Sequence, residues 1–235
     1  MKINNLYGKN CQHGYRPYET IKYIVIHYTG VKGDTAKGEA NFFHNTGRDG
    51  VGAHFFVDSD GIIFCSVPIN QIAYSVGGVY NLNGYAGEYY TKCTNSNSVS
   101  IEMCNATESV TYAQMKAIKW LVKHIQNKCS NANTIIRHWD VNGKLCPAPM
   151  ASNDNYKWKE LKHFINYGYL YKAKVIKNGL IHTSQKAIST NVCGKLKKGE
   201  IVRVKAIFGK WSLLVSETSN GKKKWVANSK LLKII

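Results

Sequence analysis

Tyr23-Ile24-Val25-Ile26-His27-Tyr28 is a continuous apolar run rich in β-branched side chains. A run without polar alternation reads as a strand buried on both faces, and such a strand needs covering layers on either side of its sheet. Further along, Ala53 to Val57 and Ile62 to Val67 flank Asp58-Ser59-Asp60-Gly61, the pattern of a hairpin with glycine in its turn. Ser98-Val99-Ser100-Ile101-Glu102-Met103-Cys104 alternates polar and apolar residues. That alternation puts Glu102 on one face with Ser98, Ser100 and Cys104. Thr111-Tyr112-Ala113-Gln114 carries a capping-box signal, and Met115, Ile118, Leu121, Val122 and Ile125 recur at helical spacing after it. The spacing predicts a helix over 112–128. Thr134 to Arg137 reads as a short strand that delivers His138. Trp158, Leu161, Phe164 and Ile165 predict a last helix. Strands alternating with helices make residues 1–166 an α/β layer domain.

At Tyr167-Gly168-Tyr169-Leu170 the texture changes, and residues 167–170 read as a linker. Residues 171–235 lack helical periodicity. Short β-type runs lie at 174–176, 199–204, 211–215 and 224–226, cut by Asn178-Gly179, Phe208-Gly209-Lys210 and Asn220-Gly221. They predict a small all-β barrel. Residues 74–90, rich in glycine and tyrosine, read as a long loop.

The 235 residues carry 32 Lys+Arg against 14 Asp+Glu, a formal net charge of +18. Residues 167–235 hold 15 basic and 2 acidic residues, so +13 of the excess lies there. A field of that sign suits a polyanionic partner: nucleic acid, acidic lipid or an anionic wall polymer. Nucleic acid ranks last, because no RNP, KH or basic-helix signature is present. No stretch approaches the roughly 18 apolar residues of a membrane helix. The first residues lack the apolar segment of a signal peptide, so the chain is expected in the cytoplasm of its cell of origin. The seven cysteines are odd in number and show no CxxC spacing, which speaks against a disulfide framework.

The run Arg137-His138-Trp139-Asp140-Val141-Asn142-Gly143-Lys144-Leu145-Cys146-Pro147 holds the most suggestive chemistry. His138 and Cys146, joined by His27, would fill three of four tetrahedral zinc positions and leave one open for water, the arrangement of a hydrolytic zinc. Lys144 adds a cation beside them. Each residue taken alone also reads blandly: His27 as a satisfied core histidine, Glu102 as a surface strand carboxylate, Lys144 as a solvated loop charge. His54 reads as a hydrogen-bonded core histidine or a neighbour of the ligands, and neither it nor His44 is counted among them.

Four segments match a known family in order. They are Ile24-Val25-Ile26-His27-Tyr28-Thr29; Ala53-His54-Phe55-Phe56-Val57-Asp58 with Gly61; Ser98-Val99-Ser100-Ile101-Glu102; and Arg137-His138 leading to Lys144-Leu145-Cys146-Pro147. Over residues 18–166 the chain resembles the zinc-dependent N-acetylmuramoyl-L-alanine amidases of the type-2 family, which includes phage endolysins and peptidoglycan recognition proteins. The resemblance implies a mixed central sheet flanked by helices. It also implies Zn2+ on His27, His138 and Cys146, and a catalytic pair of Glu102, acting on the water, and Lys144, steadying the oxyanion. One branch of the family has a catalytic tyrosine where this chain has Ala53, so the proton work falls to Glu102. The implied reaction is cleavage of the amide between N-acetylmuramic acid and L-alanine in a Gram-positive wall, with release from the host cytoplasm by a holin. A host autolysin or a non-catalytic peptidoglycan receptor are the alternatives, although receptors of that kind typically lose the cysteine. Residues 171–235 resemble a bacterial SH3 domain through Gly194 to Val204, Gly209-Lys210-Trp211, Lys224-Trp225-Val226 and Leu231-Leu232. Gly179-Leu180-Ile181-His182-Thr183 departs from that family's usual run. Such a domain implies tethering to peptidoglycan or its anionic polymers.

Overall fold

The computed structural model describes residues 1–47, 49–77 and 87–234. The chain divides into two compact units, Met1–Trp158 and Lys159–Ile235. The first holds β1 (Ile3–Asn5), β2 (Gln12–Tyr15), β3 (Tyr23–Tyr28), α1 (Ala36–Asn45), β4 (Phe55–Val57), β5 (Ile63–Cys65), β6 (Gln71–Ala73), β7 (Ser98–Met103), α2 (Tyr112–Lys128), β8 (Thr134–Arg137) and α3 (His138–Asn142). α4 (Tyr156–Tyr167) runs across the division between the units.

Six strands form one mixed sheet in the order β1-β5-β4-β7-β3-β8. β4, β7, β3 and β8 run parallel, and β4 with β5 is the antiparallel hairpin expected around Gly61. β3 lies between β7 and β8, and its Ile24, Val25 and Ile26 are fully buried. This is why the run reads as apolar on both faces. β2 and β6 pair separately.

α2 spans the residues that periodicity predicts and buries Met115, Ala117, Ile118, Leu121, Val122 and Ile125. Its start differs in one detail. The Thr111 side chain accepts from the Gln114 backbone N–H, as in a capping box. The Gln114 side chain turns the other way, donating to the carbonyls of Val57 (2.8 Å) and Cys104 (2.9 Å) at the ends of β4 and β7. A buried carbonyl at a strand end needs a donor, and that demand outweighs closure of the box. α1 carries no sequence expectation. It is capped by Thr35, whose side chain accepts from Gly38 N, and buries only Ala36, Ala40 and Phe43.

The second unit holds β9 (Tyr171–Val175), β10 (Gly179–His182), β11 (Val192–Leu196), β12 (Ile201–Phe208), β13 (Trp211–Glu217), β14 (Lys223–Ala227) and β15 (Leu231–Ile234). They form a seven-stranded antiparallel sheet in the order β11-β10-β14-β13-β12-β9-β15. Ala173, Val175, Ile181, Leu196, Val204, Leu214 and Val226 make its core. β9, β12, β13 and β14 overlap the four β-type runs; β10 and β11 carry no strand expectation. Of the long loop expected over 74–90, residues 78–86 lie outside the described residues; 74–77 and 87–90 contain neither helix nor strand.

Candidate metal centre

The site is assembled at the carboxyl ends of parallel strands, where open α/β sheets expose functional groups. In the register of β3 and β7, His27 lies beside Glu102, and Phe56 of β4 lies on the far side of Glu102. On the other flank Ile26 pairs with Arg137, the last residue of β8. His138 follows at once and opens α3, which brings it level with His27.

The return from α3 to Cys146 is fixed by backbone chemistry. Gly143 ends the helix with φ 75°, a left-handed conformation that glycine adopts without a Cβ penalty. The Trp139 N–H then donates to the Cys146 carbonyl at 2.9 Å. Asp140 caps α3: the Arg137 backbone N–H and guanidinium donate to its carboxylate at 2.6–3.0 Å. The same guanidinium donates to the carbonyls of Met150 and Ser152 and lies over the Trp158 ring. Gly87 brings a further segment close, since a Cβ there would stand 2.4 Å from the Asp140 carbonyl oxygen.

His27, His138 and Cys146 converge, with one ligand atom of each within 4.8 Å of the others. All three are buried, and the imidazoles meet edge to face at 4.7 Å between centroids. Cys146 Sγ is 3.7 Å from His27 Nδ1, and Glu102 Oε1 is 3.8 Å from the same nitrogen. His27 Nε2, both ring nitrogens of His138 and Glu102 Oε2 are buried without hydrogen-bond partners. Orphaned buried polar atoms are costly and rare, so four on three neighbouring side chains call for a missing partner. A divalent cation fits that requirement.

The electrostatics agree. Burial, followed by the neighbouring His138 and Lys144 charges, holds the His27 imidazole well below its ordinary pKa. Burial and then Lys144 push His138 down to about 3. Both rings are therefore neutral at pH 7, the form that ligates metal. Burial raises the Cys146 thiol well above its ordinary value, with Glu102 adding to the effect. A metal would have to displace that proton. Glu102, with 19% of its side chain exposed, is pushed up to about 8 by burial, against the pull of Lys144. Lys144 itself is exposed and shares with His138 the lining of a cavity of about 370 Å³, along with Tyr74 and Asn95.

The remaining sequence candidates sit elsewhere. His54 is fully buried, with Nδ1 3.1 Å from the Ser100 N–H and Nε2 3.1 Å from the Gln71 carbonyl. Arg16 Nη2 also contacts Nε2 at 2.9 Å. Burial and Arg16 hold this imidazole down at about 3, so His54 is a hydrogen-bonded core histidine. His44 contacts the Tyr7 carbonyl at the surface. Ala53 is buried in an apolar cluster with Phe43, Phe56 and Cys104. Sequence reasoning missed Arg16, a buried cation that also donates to the carbonyls of Ile69 and Asn95. It missed Asn95 as well. Neither belongs to a local pattern that could have revealed it.

A sequence profile of the family described as N-acetylmuramoyl-L-alanine amidase matches residues 17–149. The N-acetylmuramoyl-L-alanine amidase CwlL of Bacillus licheniformis is 28% identical over 187 residues, covering 76% of this chain and 49% of that protein. The amidase BlyA of Bacillus subtilis (strain 168) is 29% identical over 164 residues, covering 66% and 42%. The chain thus spans about half the length of the curated relatives it matches. Among solved structures, a mutant endolysin from Bacillus subtilis superposes with a TM-score of 0.53 at 24% identity, covering 70% of this chain and 99% of that one. The catalytic domain of XlyA gives 0.53 at 22% identity, covering 70% and 99%. These two likenesses establish the fold. With a profile match over more than half of its 235 residues, around the very segment that carries His27, Glu102, His138 and Cys146, the chain belongs to the N-acetylmuramoyl-L-alanine amidase family.

Proposed function

We propose that this protein is a peptidoglycan hydrolase that cleaves the amide between N-acetylmuramic acid and L-alanine, with zinc held by His27, His138 and Cys146. The observation that carries the reading is the buried His-His-Cys triangle with its unpartnered ring nitrogens, in a chain of this family. When bound, zinc supplies Lewis acidity at the scissile amide. The protein's own groups do the rest. With a cation held beside it the Glu102 carboxyl ionises, and it then takes a proton from the attacking water at its Oε atoms and returns it to the leaving amine. Its position beside His27 and its unpartnered Oε2 support that role. The Lys144 ammonium, in the cavity that His138 also lines, faces the negative charge that develops on the carbonyl oxygen. Retention of Cys146 favours hydrolysis over a receptor role.

We further propose that residues 171–235 form an SH3-like wall-binding domain. The seven-stranded antiparallel sheet and the +13 charge of residues 167–235 support it, and anionic wall polymers are the chemistry such a field attracts. The biological setting in this reading is that of an endolysin, reaching the wall of a Gram-positive host from the cytoplasm after a holin opens the way. Among the described residues no helix is long and apolar enough to cross a membrane.

The test is to digest purified Gram-positive peptidoglycan and identify the new ends. New N-terminal L-alanine, abolished by chelation and restored by zinc, is expected. New reducing sugars in place of alanine amines would exclude amide cleavage.

A further inference from the structure

The first unit, residues 1–158, holds 15 Lys+Arg and 11 Asp+Glu. α2 alone contributes four lysines, Lys116, Lys119, Lys123 and Lys128, and no acid. Elsewhere in the unit the two signs balance at 11 each, so its whole excess charge sits on one helix. The charge is also ordered there. At 3.6 residues per turn, Lys116, Lys119 and Lys123 fall within about 60° of one another around the axis. The opposite face carries Met115, Ile118, Leu121, Val122 and Ile125 into the core, which turns the lysines outward. Lys116, Lys123 and Lys128 are exposed, and Lys119 is half-buried.

Solvated helix faces commonly mix signs, because Glu and Lys three or four residues apart support the helix. In α2 the pairs Lys116–Lys119 and Lys119–Lys123 stand at those spacings with like charge, which disfavours it. Among the described residues Lys116, Lys123 and Lys128 form no ion pair. A row of uncompensated ammonium groups is stabilised by a polyanion laid along it.

The rings beside the row narrow the choice of polyanion. Trp120 stacks on His124 at 5.4 Å between centroids and 17°, and Lys116 Nζ lies 4.9 Å over the Tyr112 ring. All three rings are half-buried, and no large apolar side chain of residues 112–128 is exposed. A bilayer interface calls for apolar groups free to immerse. Single-stranded nucleic acid calls for open rings on which its bases stack. A linear phosphodiester with a polyol backbone needs only cations in a row, and these follow one another at about 4.5, 6 and 7.5 Å along the helix axis.

We infer that the outer face of α2 binds a linear phosphodiester polymer of the wall, its phosphates paired with Lys116, Lys119, Lys123 and Lys128. The catalytic unit then has a polymer contact of its own. The source of the polymer rests on the wall-hydrolase reading above, whereas the contact itself does not depend on residues 171–235. Two attachments on one chain raise each other's effective concentration.

The test uses the full chain and a synthetic decamer of glycerol phosphate, with lysine acetylation read by mass spectrometry. Lys116 and Lys123 should be acetylated several-fold more slowly when the decamer is present. Protection confined to residues 171–235, with both lysines labelled as fast as without the decamer, overturns the proposal. Stronger protection of the pair by a thymidine decamer or by phosphatidylglycerol vesicles assigns the face to nucleic acid or lipid and also overturns it. A triple variant, Lys116→Gln with Lys123→Gln and Lys128→Gln, keeps helix propensity and removes three cations. Its slope of log affinity for the decamer against log salt should be shallower by about two, since each phosphate contact on a flexible strand contributes roughly 0.7. An unchanged slope overturns the proposal. Neither readout needs turnover. Protection without amide cleavage leaves the α2 surface standing and removes the hydrolase reading; cleavage of purified peptidoglycan with both lysines unprotected by the decamer does the reverse.

Discussion

Acidifying the metal-free protein is expected to open its first unit well above pH 4. His54 and His138 have folded-state pKa values of about 3, and His27 lies well below its ordinary value, in each case chiefly through burial. In the unfolded chain all three imidazoles take protons near pH 6.5. Each proton bound only by the unfolded chain costs about 1.4 kcal/mol of stability per pH unit. Three imidazoles thus remove about 4 kcal/mol per unit as the pH falls below 6.5. Glu102 works against them. Its pKa is raised to about 8, so the folded protein binds its proton first and regains about 1.4 kcal/mol per unit on acidification toward 4.5. Glu39, raised by burial beside Asp34, acts in the same sense. The net slope is roughly 2–3 kcal/mol per unit, or about 3–4 kcal/mol between pH 6.5 and 5. That is a large share of the margin of an ordinary domain. Amide exchange of β3 and α2, followed by mass spectrometry in EDTA at pH 7, 6 and 5 and corrected for intrinsic exchange, reads the effect in this unit alone. Protection that stays level or grows toward pH 5 would refute the reasoning. Zinc at about a hundredfold excess over its Kd should add about 2.7 kcal/mol at neutral pH.

Cys146→Ser replaces a thiolate donor by a hydroxyl that does not ionise, so zinc content should fall well below one per chain; full occupancy by elemental analysis would remove Cys146 from the ligand set. Glu102→Gln keeps the side-chain volume and loses the base: bound zinc should persist while kcat falls by about 10²–10⁴, and an unchanged kcat would reject the proton-transfer role. Gln114→Leu leaves the Cys104 carbonyl without its donor, whereas Val57 keeps the Cys104 N–H. Urea unfolding should show a loss of about 1–3 kcal/mol, and no loss would mean that α2 is held by apolar packing alone. Binding of the full chain to purified walls should weaken steeply as salt rises and after the anionic polymers are stripped; salt-independent binding would exclude an electrostatic tether.

β3, α2 and β8 were legible because each carries its own period: a continuous apolar run, a helical stripe, a short β-branched stretch. α1 was not, because only Ala36, Ala40 and Phe43 are buried and Gly38 interrupts its propensity. β1 is three residues long and takes its identity from pairing with β5, sixty residues away, which leaves no local trace. The same division runs through the site. Imidazole and thiol side chains have few roles, so His27, His138 and Cys146 stand out from their types and order. Asn95 and Arg16 act through bonds to distant backbone groups, the Ile69 carbonyl and the Ser75 and Val76 amides among them. Asparagine and arginine occur everywhere for other reasons, and only the folded chain singles these two out.

The placement of β3 between β7 and β8 also sets a timetable for synthesis. His27 leaves the ribosome before its sheet neighbours, residues 98–103 and 134–137, which follow long after. Parallel pairing across such separations is slow and cannot start before the later strand exists. The three ligands span residues 27 to 146, so no nascent chain shorter than that holds the full set. A centre built this way stays unassembled until residue 146 has been made, and a chain broken off before Cys146 lacks one of its three ligands.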